Sequence, residues 1–211
     1  MCGEYTVTQS WFDSFTGAAT VLVALWGVST AWKGLNVWKN QSIWNADNEL
    51  ARKLLIATYR YRDSLYSIRH PAMSSAEMQP KPVFEVNPDR GEHERQGVRI
   101  AYANRWKSHL PKRIDLDALR LESDAVWGPK LAELLKPLLK LEDELYGFIW
   151  LYLDAHYRGD TELAKQLREH LKQSRDLTYD SMNESDVFRQ DFVAGLVPIE
   201  EYLREKLGRG R

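Results

Sequence analysis

The chain combines one long uncharged run near its start with a series of amphipathic stretches further on. Residues 14–32 contain no charged side chain. After residue 45, apolar residues recur every three or four positions, which is the spacing of a helix face that packs against a neighbour. Neither the alternation of a strand nor a hairpin signal stands out. The pattern predicts an all-α protein, in which one N-terminal transmembrane helix is followed by an antiparallel cytosolic helical bundle.

The uncharged run has the length of a membrane-crossing helix. At about 1.5 Å per residue it extends roughly 28 Å, close to the ~30 Å thickness of the hydrocarbon core of a bilayer. Trp11 and Phe12 precede it, and Trp32 and Trp38 lie at and beyond its end. Aromatic side chains of this kind prefer the boundary between lipid and water. We therefore predict a transmembrane helix at 14–32, with these four side chains at the two membrane interfaces.

Two alternatives stay open for this run. A cleaved signal peptide is disfavoured, because residues 1–13 contain neither Lys nor Arg, whereas secretory signals begin with positive charge. A buried helix of a soluble protein is the second alternative, because several Ser, Thr and Gly residues make the run only moderately apolar.

The small residues within the uncharged run would also allow two such helices to associate closely.

Basic residues lie on one side of the run only. Lys33, Lys39, Arg52 and Lys53 all follow it. Because Lys and Arg near a membrane span accumulate on the cytoplasmic side, this asymmetry predicts an N-terminus outside and a C-terminal domain in the cytoplasm.

The rest of the chain divides by its pattern into a stalk, a bundle and a tail. Helical spacing predicts a helix from Asn45 to before Pro71, and further helices over 92–110, 115–126, 130–157 and 161–172. A long Pro-containing loop separates the first two, over 70–91. We expect these regions: a tail at 1–13, the span at 14–32, a juxtamembrane stalk at 33–48, a helical bundle at 49–172, and a partly disordered acidic tail at 173–211 with a short terminal helix.

Prolines modify two of these helices. Pro111 is expected to end or kink the helix that precedes it, so that two helices are predicted between 92 and 126. Pro137 lies inside the pattern of the 130–157 helix and should kink it or open its second part.

Composition argues against several functional classes. The 29 basic and 30 acidic residues give a net charge of -1, which provides no general attraction for nucleic acid. The lone Cys2 excludes an internal disulfide and two-cysteine metal motifs. The five histidines form no metal-binding spacing, and phosphate-loop and serine-hydrolase motifs are missing. The sequence therefore assigns no catalytic residue, no cofactor-binding residue and no metal site, and we expect no cofactor.

One polar cluster suggests an interaction surface on the first cytosolic helix. Its members recur at helical spacing and are Tyr59, Arg62, Asp63, Tyr66 and Arg69. Arginine combined with tyrosine is typical of protein-binding hot spots and can also bind phosphate groups. The alternative is structural, in which Arg62 or Arg69 forms an ion pair with a carboxylate of the 130–157 helix, such as Glu142, Asp143 or Glu144.

Three stretches carry a resemblance to a known group of proteins. They are WKNQ at Trp38–Gln41, ELARKLLIATYRYRDSLYSIRHP at Glu49–Pro71, and AVWGPKLAELLKPL at Ala125–Leu138. Together they resemble bacterial proteins without known function that have one N-terminal membrane helix and a cytosolic helical domain. The resemblance implies a location in the cell (inner) membrane. It also implies a continuous helix where Pro111 lies, and it assigns no catalytic residue.

These observations favour a membrane-anchored helical interaction or scaffold protein. Its expected partners are the lipid bilayer, a second copy of the chain bound through the anchor or the bundle, and an unidentified protein, but not nucleic acid. Two alternatives from other classes stay open. One is a membrane-tethered enzyme with a site built from scattered residues such as Tyr59, Arg62, Asp63 and Glu144. The other is a pore-forming membrane effector.

Overall fold

The computed structural model describes the backbone of residues 5–79, 90–157, 159, 161–183 and 185–208. Side chains are described for residues 26, 27, 29–35, 37–79 and 96–157 and for the later ranges. Most of the predicted span at 14–32 therefore lies outside the described side chains, as do Trp11 and Phe12. Residues 80–89 of the predicted loop also lie outside the description.

All regular elements among the described residues are helices, which confirms the all-α prediction. They are α1 (Tyr5–Ile68), α2 (Ser75–Met78), α3 (Arg90–Trp127), α4 (Lys130–Tyr157), α5 (Glu162–Gln173) and α6 (Val187–Gly208). The chain divides into two compact units, which join within α1 between Asn48 and Glu49.

The first unit, as far as the structure describes it, is the N-terminal part of α1. The predicted stalk at 33–48 is helical throughout. Its glycines and asparagines are weak helix formers, yet they do not interrupt the backbone hydrogen bonds. Across the described part of the chain, no helix has both the length and the apolar character that a membrane crossing requires.

The second unit is a bundle with one apolar core. Four helices supply most of it, and its fully buried side chains include Leu54, Tyr61, Leu65, Tyr102, Leu116, Leu135, Leu138, Leu145, Phe188 and Phe192. α4 is the central element, because it packs against α3, α5 and α6. This explains why the apolar residues of α4 cover a face too wide for one neighbour.

Within the bundle, α3 and α4 run antiparallel. Between α3 and α4, Arg99 pairs with Asp154 at 3.1 Å and His109 contacts Glu142 at 2.8 Å, so the residue numbers run in opposite directions. The connection is short, and Gly128 adopts the left-handed conformation (φ 81°) that closes a helix C-terminus. The N–H of Gly128 donates to the carbonyl of Asp124 at 3.1 Å.

One helix, α3, spans the region in which Pro111 predicts two helices. α3 runs through Pro111 without ending. A proline inside a helix leaves the carbonyl four residues earlier without its donor. Here both Pro111 and Lys107 are exposed, so water can bind that carbonyl. Pro137 is likewise exposed and lies inside α4, whose bounds agree with the predicted helix.

The predicted loop at 70–91 contains a short helix that a buried arginine holds in place. The hydroxyl of Ser74 caps α2 by accepting from the N–H of Glu77. Arg105 of α3 donates to the Glu77 carboxylate at 2.8 Å and to the carbonyls of His70 and Ala72 at 2.7 and 2.6 Å. One guanidinium therefore fixes the start of this segment to the bundle.

Within the predicted tail at 173–211, the described residues include a terminal helix that is longer than the short one expected. α6 is 22 residues long, and Pro198 lies inside it rather than at its start. The preceding segment buries Leu177, Asp180 and Asp186. Few apolar residues occur there, so the sequence indicated disorder. The segment is ordered instead by polar contacts with Arg69.

Candidate functional site

A partly buried carboxylate joins three helices of the bundle. Tyr61 of α1 donates to Glu142 Oε2 at 2.7 Å, and Arg113 of α3 donates to the same oxygen at 3.0 Å. His109 Nε2 lies 2.8 Å from the other oxygen, Oε1. Ser64 then extends the network, because its Oγ lies 2.7 Å from His109 Nδ1. We call these five side chains the Glu142 network.

The protonation state of the network follows from these contacts. Burial raises the pKa of Glu142. Hydrogen bonds from His109 and Tyr61 and the positive charge of Arg113 lower this pKa by a larger amount, so the net shift is downward. Burial and the nearby Glu142 charge raise the pKa of Tyr61, which stays a phenol and a donor. Because an ionised carboxylate only accepts, His109 Nε2 must carry a proton.

The other ring nitrogen of His109, Nδ1, is the atom of the network that could act as a base. When His109 is neutral, Nδ1 has a lone pair that faces the Ser64 hydroxyl. This hydroxyl also lies 2.7 Å from the carbonyl of Tyr61, to which it can donate instead. The order hydroxyl, imidazole, carboxylate is the one that activates serine in hydrolases. His109 is 2% exposed, whereas Ser64 is only partly buried.

Two hollows lie between α1 and α3. The α1 residues that line one of them precede Ser64 in the sequence, and those that line the other follow it. One, of about 440 Å³, is lined by Ile56, Arg60 and Lys112 among others. The other, of about 550 Å³, is lined by residues that include Ser67 and Arg105. Within the described residues, Arg60 forms no ion pair or hydrogen bond. Backbone N–H groups near Ser64 are committed to α1, so only side chains could stabilise a developing oxyanion there.

The structure separates the predicted interaction face into two parts. Tyr59, Arg62, Asp63 and Tyr66 lie at or near the surface of α1. Arg62 Nε donates to Asp63 at 2.9 Å, and its guanidinium lies 5.0 Å from the centre of the Tyr59 ring. Tyr66 is half-buried against Phe192 of α6. These four residues remain a candidate interaction face.

Arg69 does not belong to that face, because it is 1% exposed. It forms a two-point ion pair with Asp186, with both N···O distances at 2.9 Å. It also donates to the carbonyls of Leu177 and Tyr179 at 3.0 and 2.8 Å. Its guanidinium lies 4.6 Å from the centre of the Phe188 ring. Four of the five guanidinium N–H groups are used inside the protein, so Arg69 organises the fold.

The structural alternative, in which Arg62 or Arg69 pairs with a carboxylate of α4, is wrong, because both arginines have other partners. Arg62 pairs with Asp63 of its own helix, and Arg69 pairs with Asp186. Glu142 is instead bound by Arg113 and His109. Sequence reasoning missed Ser64 and His109 as a pair, because they lie on different helices and no local spacing connects them.

Exposed apolar side chains mark the first unit. Trp32 and Trp38, predicted for the membrane interface, are 69% and 68% exposed. Trp26 is 73% exposed, and Leu35, Val37 and Ile43 are also more than half exposed. At 100° per residue these six side chains are spread around α1, so the apolar exposure surrounds the helix rather than forming one patch.

Comparisons with protein families, with curated proteins and with solved structures find no match for the chain. Among the residues that the structure describes, no group of His, Cys, Asp and Glu side chains is arranged to hold a metal ion. Functional inference therefore depends on the geometry of the chain alone.

Proposed function

We propose that this protein is a membrane-anchored helical interaction protein. The N-terminal part of α1 enters the bilayer, with its N-terminus outside, and the helical bundle acts in the cytoplasm. The observation that carries the proposal is the exposed apolar surface of Trp26, Trp32, Leu35 and Trp38 on a helix. In water such a surface is unfavourable by about 25 cal/mol per Å² of apolar area.

Lipid is the occupant that fits this surface best. Tryptophan concentrates at the boundary between headgroups and acyl chains. The uncharged residues 14–32 precede Trp38, and Lys33 and Lys39 follow the run. Cationic side chains on that side suit the anionic cytoplasmic leaflet of a bacterial membrane. Aromatic and basic residues thus occur in the order expected for an anchor with its domain inside.

The anchor is tested by extraction of membranes that contain the full chain. Alkaline carbonate should leave the protein in the membrane pellet. A variant with Val21→Arg and Val23→Arg should appear in the supernatant, because charged side chains are unfavourable in the hydrocarbon core. The matched control, Val193→Arg and Val197→Arg on exposed positions of α6, should stay in the pellet. Release of the unmodified chain by carbonate would refute the anchor.

Cys2 reports the orientation, because it is the one cysteine of the chain. An impermeant maleimide should label Cys2 in intact spheroplasts. In a Cys2→Ser background, Ser74→Cys at an exposed position of the bundle should be labelled only after lysis. The reverse result would overturn the proposed orientation while leaving the anchor intact.

A second candidate function follows from the Glu142 network. The contacts of His109 with Ser64 and Glu142, at 2.7 and 2.8 Å, favour a membrane-tethered serine hydrolase. His109 Nδ1 would take the Ser64 proton as Oγ attacks an ester carbonyl, and would return it to the departing alcohol. Water would then release the acid. Arg60 is the available cation nearest in sequence to Ser64.

Labelling by a fluorophosphonate decides this candidate. The full chain should be modified at Ser64, and Ser64→Ala should abolish the labelling. Ser67→Ala, one turn further along α1, is the control and should be labelled normally. Absence of labelling at Ser64 together with no hydrolysis of simple aryl esters would reject the hydrolase and leave the interaction role untouched.

A further inference from the structure

A hollow between α1 and α3 brings cationic and apolar side chains together. Its volume of about 440 Å³ lies in the ~300–1,000 Å³ range of small-molecule sites. α1 contributes Lys53, Ile56, Ala57 and Arg60, which share one side of that helix because they are three or four positions apart. α3 contributes Lys112 and residues one and two turns beyond it. We call this space the Arg60 hollow.

Two cations of the Arg60 hollow have no carboxylate partner in the described part of the chain. Arg60 is exposed and forms neither an ion pair nor a hydrogen bond there. Lys112 is partly buried, and its Nζ donates to the backbone carbonyl of Ser108 at 2.6 Å. A guanidinium has five N–H donors and an ammonium has three. Both side chains therefore keep donors for a ligand.

The carboxylates around the hollow leave these two cations in excess. Glu49 pairs with Lys53 at 2.7 Å, and the charge of Glu122 also acts on Lys53. Asp115 lines the hollow, and it forms no ion pair with any described residue. With Lys53 compensated, the lining presents two positive charges against one negative charge, so the hollow favours an anion.

Apolar side chains form the rest of the lining. Ile56 is 41% exposed, Ala57 is buried, and Leu119 is partly buried at the edge of the core. An apolar group in the hollow would cover part of Ile56 and remove that area from water. The lining therefore suits a ligand with an anionic end and an apolar body.

We propose that the Arg60 hollow binds a phosphate monoester that carries an apolar group. Arg60 and Lys112 come from different helices, so one anion reaches both when its acceptor oxygens point in different directions. A phosphate monoester has three such oxygens, whereas a carboxylate has two in one plane. The arginine fork and the lysine ammonium both bind phosphate in proteins. Asp115 repels the phosphate and so limits the affinity.

Isothermal titration calorimetry of the full chain in detergent tests the site with three probes. Phenyl phosphate has both the anionic and the apolar part, inorganic phosphate lacks the apolar part, and benzyl alcohol lacks the charge. Phenyl phosphate should bind several-fold more tightly than either of the other two. Absence of saturable binding, or an equal affinity for inorganic phosphate, would overturn the proposal.

Charge removal locates the bound phosphate. Arg60→Gln with Lys112→Gln should weaken the binding of phenyl phosphate by at least about tenfold, with unchanged helix content by circular dichroism. The control, Lys107→Gln with Lys140→Gln, removes the same charge at exposed positions that do not line the hollow, and the affinity should stay nearly unchanged. An equal loss in the control would show attraction by net charge alone and would overturn the site.

Vesicles distinguish two sources of the phosphate monoester. In phosphatidylcholine vesicles that carry the full chain, added phosphatidic acid should lower the apparent affinity for phenyl phosphate if a lipid headgroup is the ligand. The affinity should stay unchanged if the ligand is a soluble molecule. Both results agree with the proposal, since both require phenyl phosphate to bind in the hollow.

Asp115→Asn should change the affinity in the opposite direction. This exposed position loses only its negative charge, so phenyl phosphate should bind several-fold more tightly. Unchanged or weaker binding would place the phosphate elsewhere and would overturn the proposal. Ser64→Ala should bind phenyl phosphate like the parent chain, because the site uses neither the Ser64 hydroxyl nor the anchor. Failure of the hydrolase candidate and failure of this site are therefore distinguishable.

Discussion

Two segments of the same helix have opposite surroundings. Between residues 26 and 43, α1 exposes Trp32, Leu35 and Trp38, each by more than 60%. Between residues 50 and 68, the same helix buries Leu54, Leu65 and other apolar side chains completely. The backbone is helical in both segments. Helix formation is therefore common to the two, and only the second segment gains stability from a packed core.

The difference shows what an apolar residue contributes in each setting. A buried leucine excludes water and contacts many neighbours, so its loss leaves a cavity. An exposed leucine or tryptophan contributes nothing of this kind until a lipid or a protein covers it. Substitutions of the same chemical kind in the two segments should therefore have different effects.

The largest effect is expected at Arg69, immediately after the buried segment. Arg69→Met leaves the Asp186 carboxylate buried without its partner, and removing one member of a buried pair lowers the free energy of unfolding by about 3–5 kcal/mol. Urea unfolding of the full chain in detergent, followed by circular dichroism, measures this loss. The control, Arg62→Met, breaks a pair with Asp63, whose side chain is 64% exposed, and should lower the free energy by less than about 1 kcal/mol.

Equal losses of unfolding free energy in the two arginine variants would contradict the distinction between the buried Arg69–Asp186 pair and the surface Arg62–Asp63 pair. A double variant, Arg69→Met with Asp186→Leu, sharpens it further. Because no unpaired charge remains buried, we expect this variant to recover most of the stability.

Leucine truncation compares the two segments of α1 directly. Leu54→Ala should lower the free energy of unfolding by about 2–5 kcal/mol, because Leu54 is fully buried. Leu35→Ala, at 63% exposure, should change it by less than about 0.5 kcal/mol. The same urea experiment measures both. A loss at Leu35 as large as that at Leu54 would show that the first segment is packed against protein.

Acid should weaken the bundle through Asp186, and the pH window can be stated. Burial raises its pKa, but hydrogen bonds from Arg69, Arg189 and Ser181 lower it to about 2, below the ordinary 3.8. A group with a lowered folded-state pKa stabilises the fold above its unfolded pKa. This contribution, about 2 kcal/mol, should be lost as the pH falls from about 4 to about 2. Urea unfolding at several pH values measures it, and in Asp186→Asn the corresponding slope should disappear.

The smallest effects compare a packed and an open glycine. A Cβ added at Gly195 of α6 would lie 2.7 Å from Leu138 Cδ2 of α4, so Gly195→Ala should destabilise the bundle by about 1–3 kcal/mol. A Cβ at Gly147 meets nothing within 4 Å. Gly147→Ala should therefore stabilise α4 by about 0.5–1 kcal/mol, because alanine favours the helix. Thermal unfolding of both variants measures the difference, and destabilisation by Gly147→Ala would show an unrecognised contact.

Helices with strong periodicity could be predicted from the sequence, and their interruptions could not. α4 has the predicted bounds because its leucines recur throughout and Gly128 and Pro129 precede it. Pro111 predicts an end or a kink in a helix, but α3 continues because the affected carbonyl is on the solvent side. Residues 174–186 lack an apolar pattern, and their order depends on Arg69, which lies more than a hundred positions away in the sequence.

The same limit applies to the candidate site. The helix face with Tyr59, Arg62, Asp63 and Tyr66 could be found, because its residues are close in sequence. The Glu142 network could not, because Ser64, His109 and Glu142 become neighbours only when three helices pack. No local spacing distinguishes these residues from others on surface helices.

By itself the sequence determined the helical class, the position of the long fourth helix and the asymmetry between an uncharged N-terminal run and a charged C-terminal domain. These properties depend on local spacing and composition, which act through backbone hydrogen bonds and hydropathy. Only the tertiary structure decided that Arg69 is internal, that Glu142 joins three helices, and that Arg60 and Lys112 line one hollow. Burial and ion pairing depend on which helices pack together, and contacts between distant residues set that arrangement.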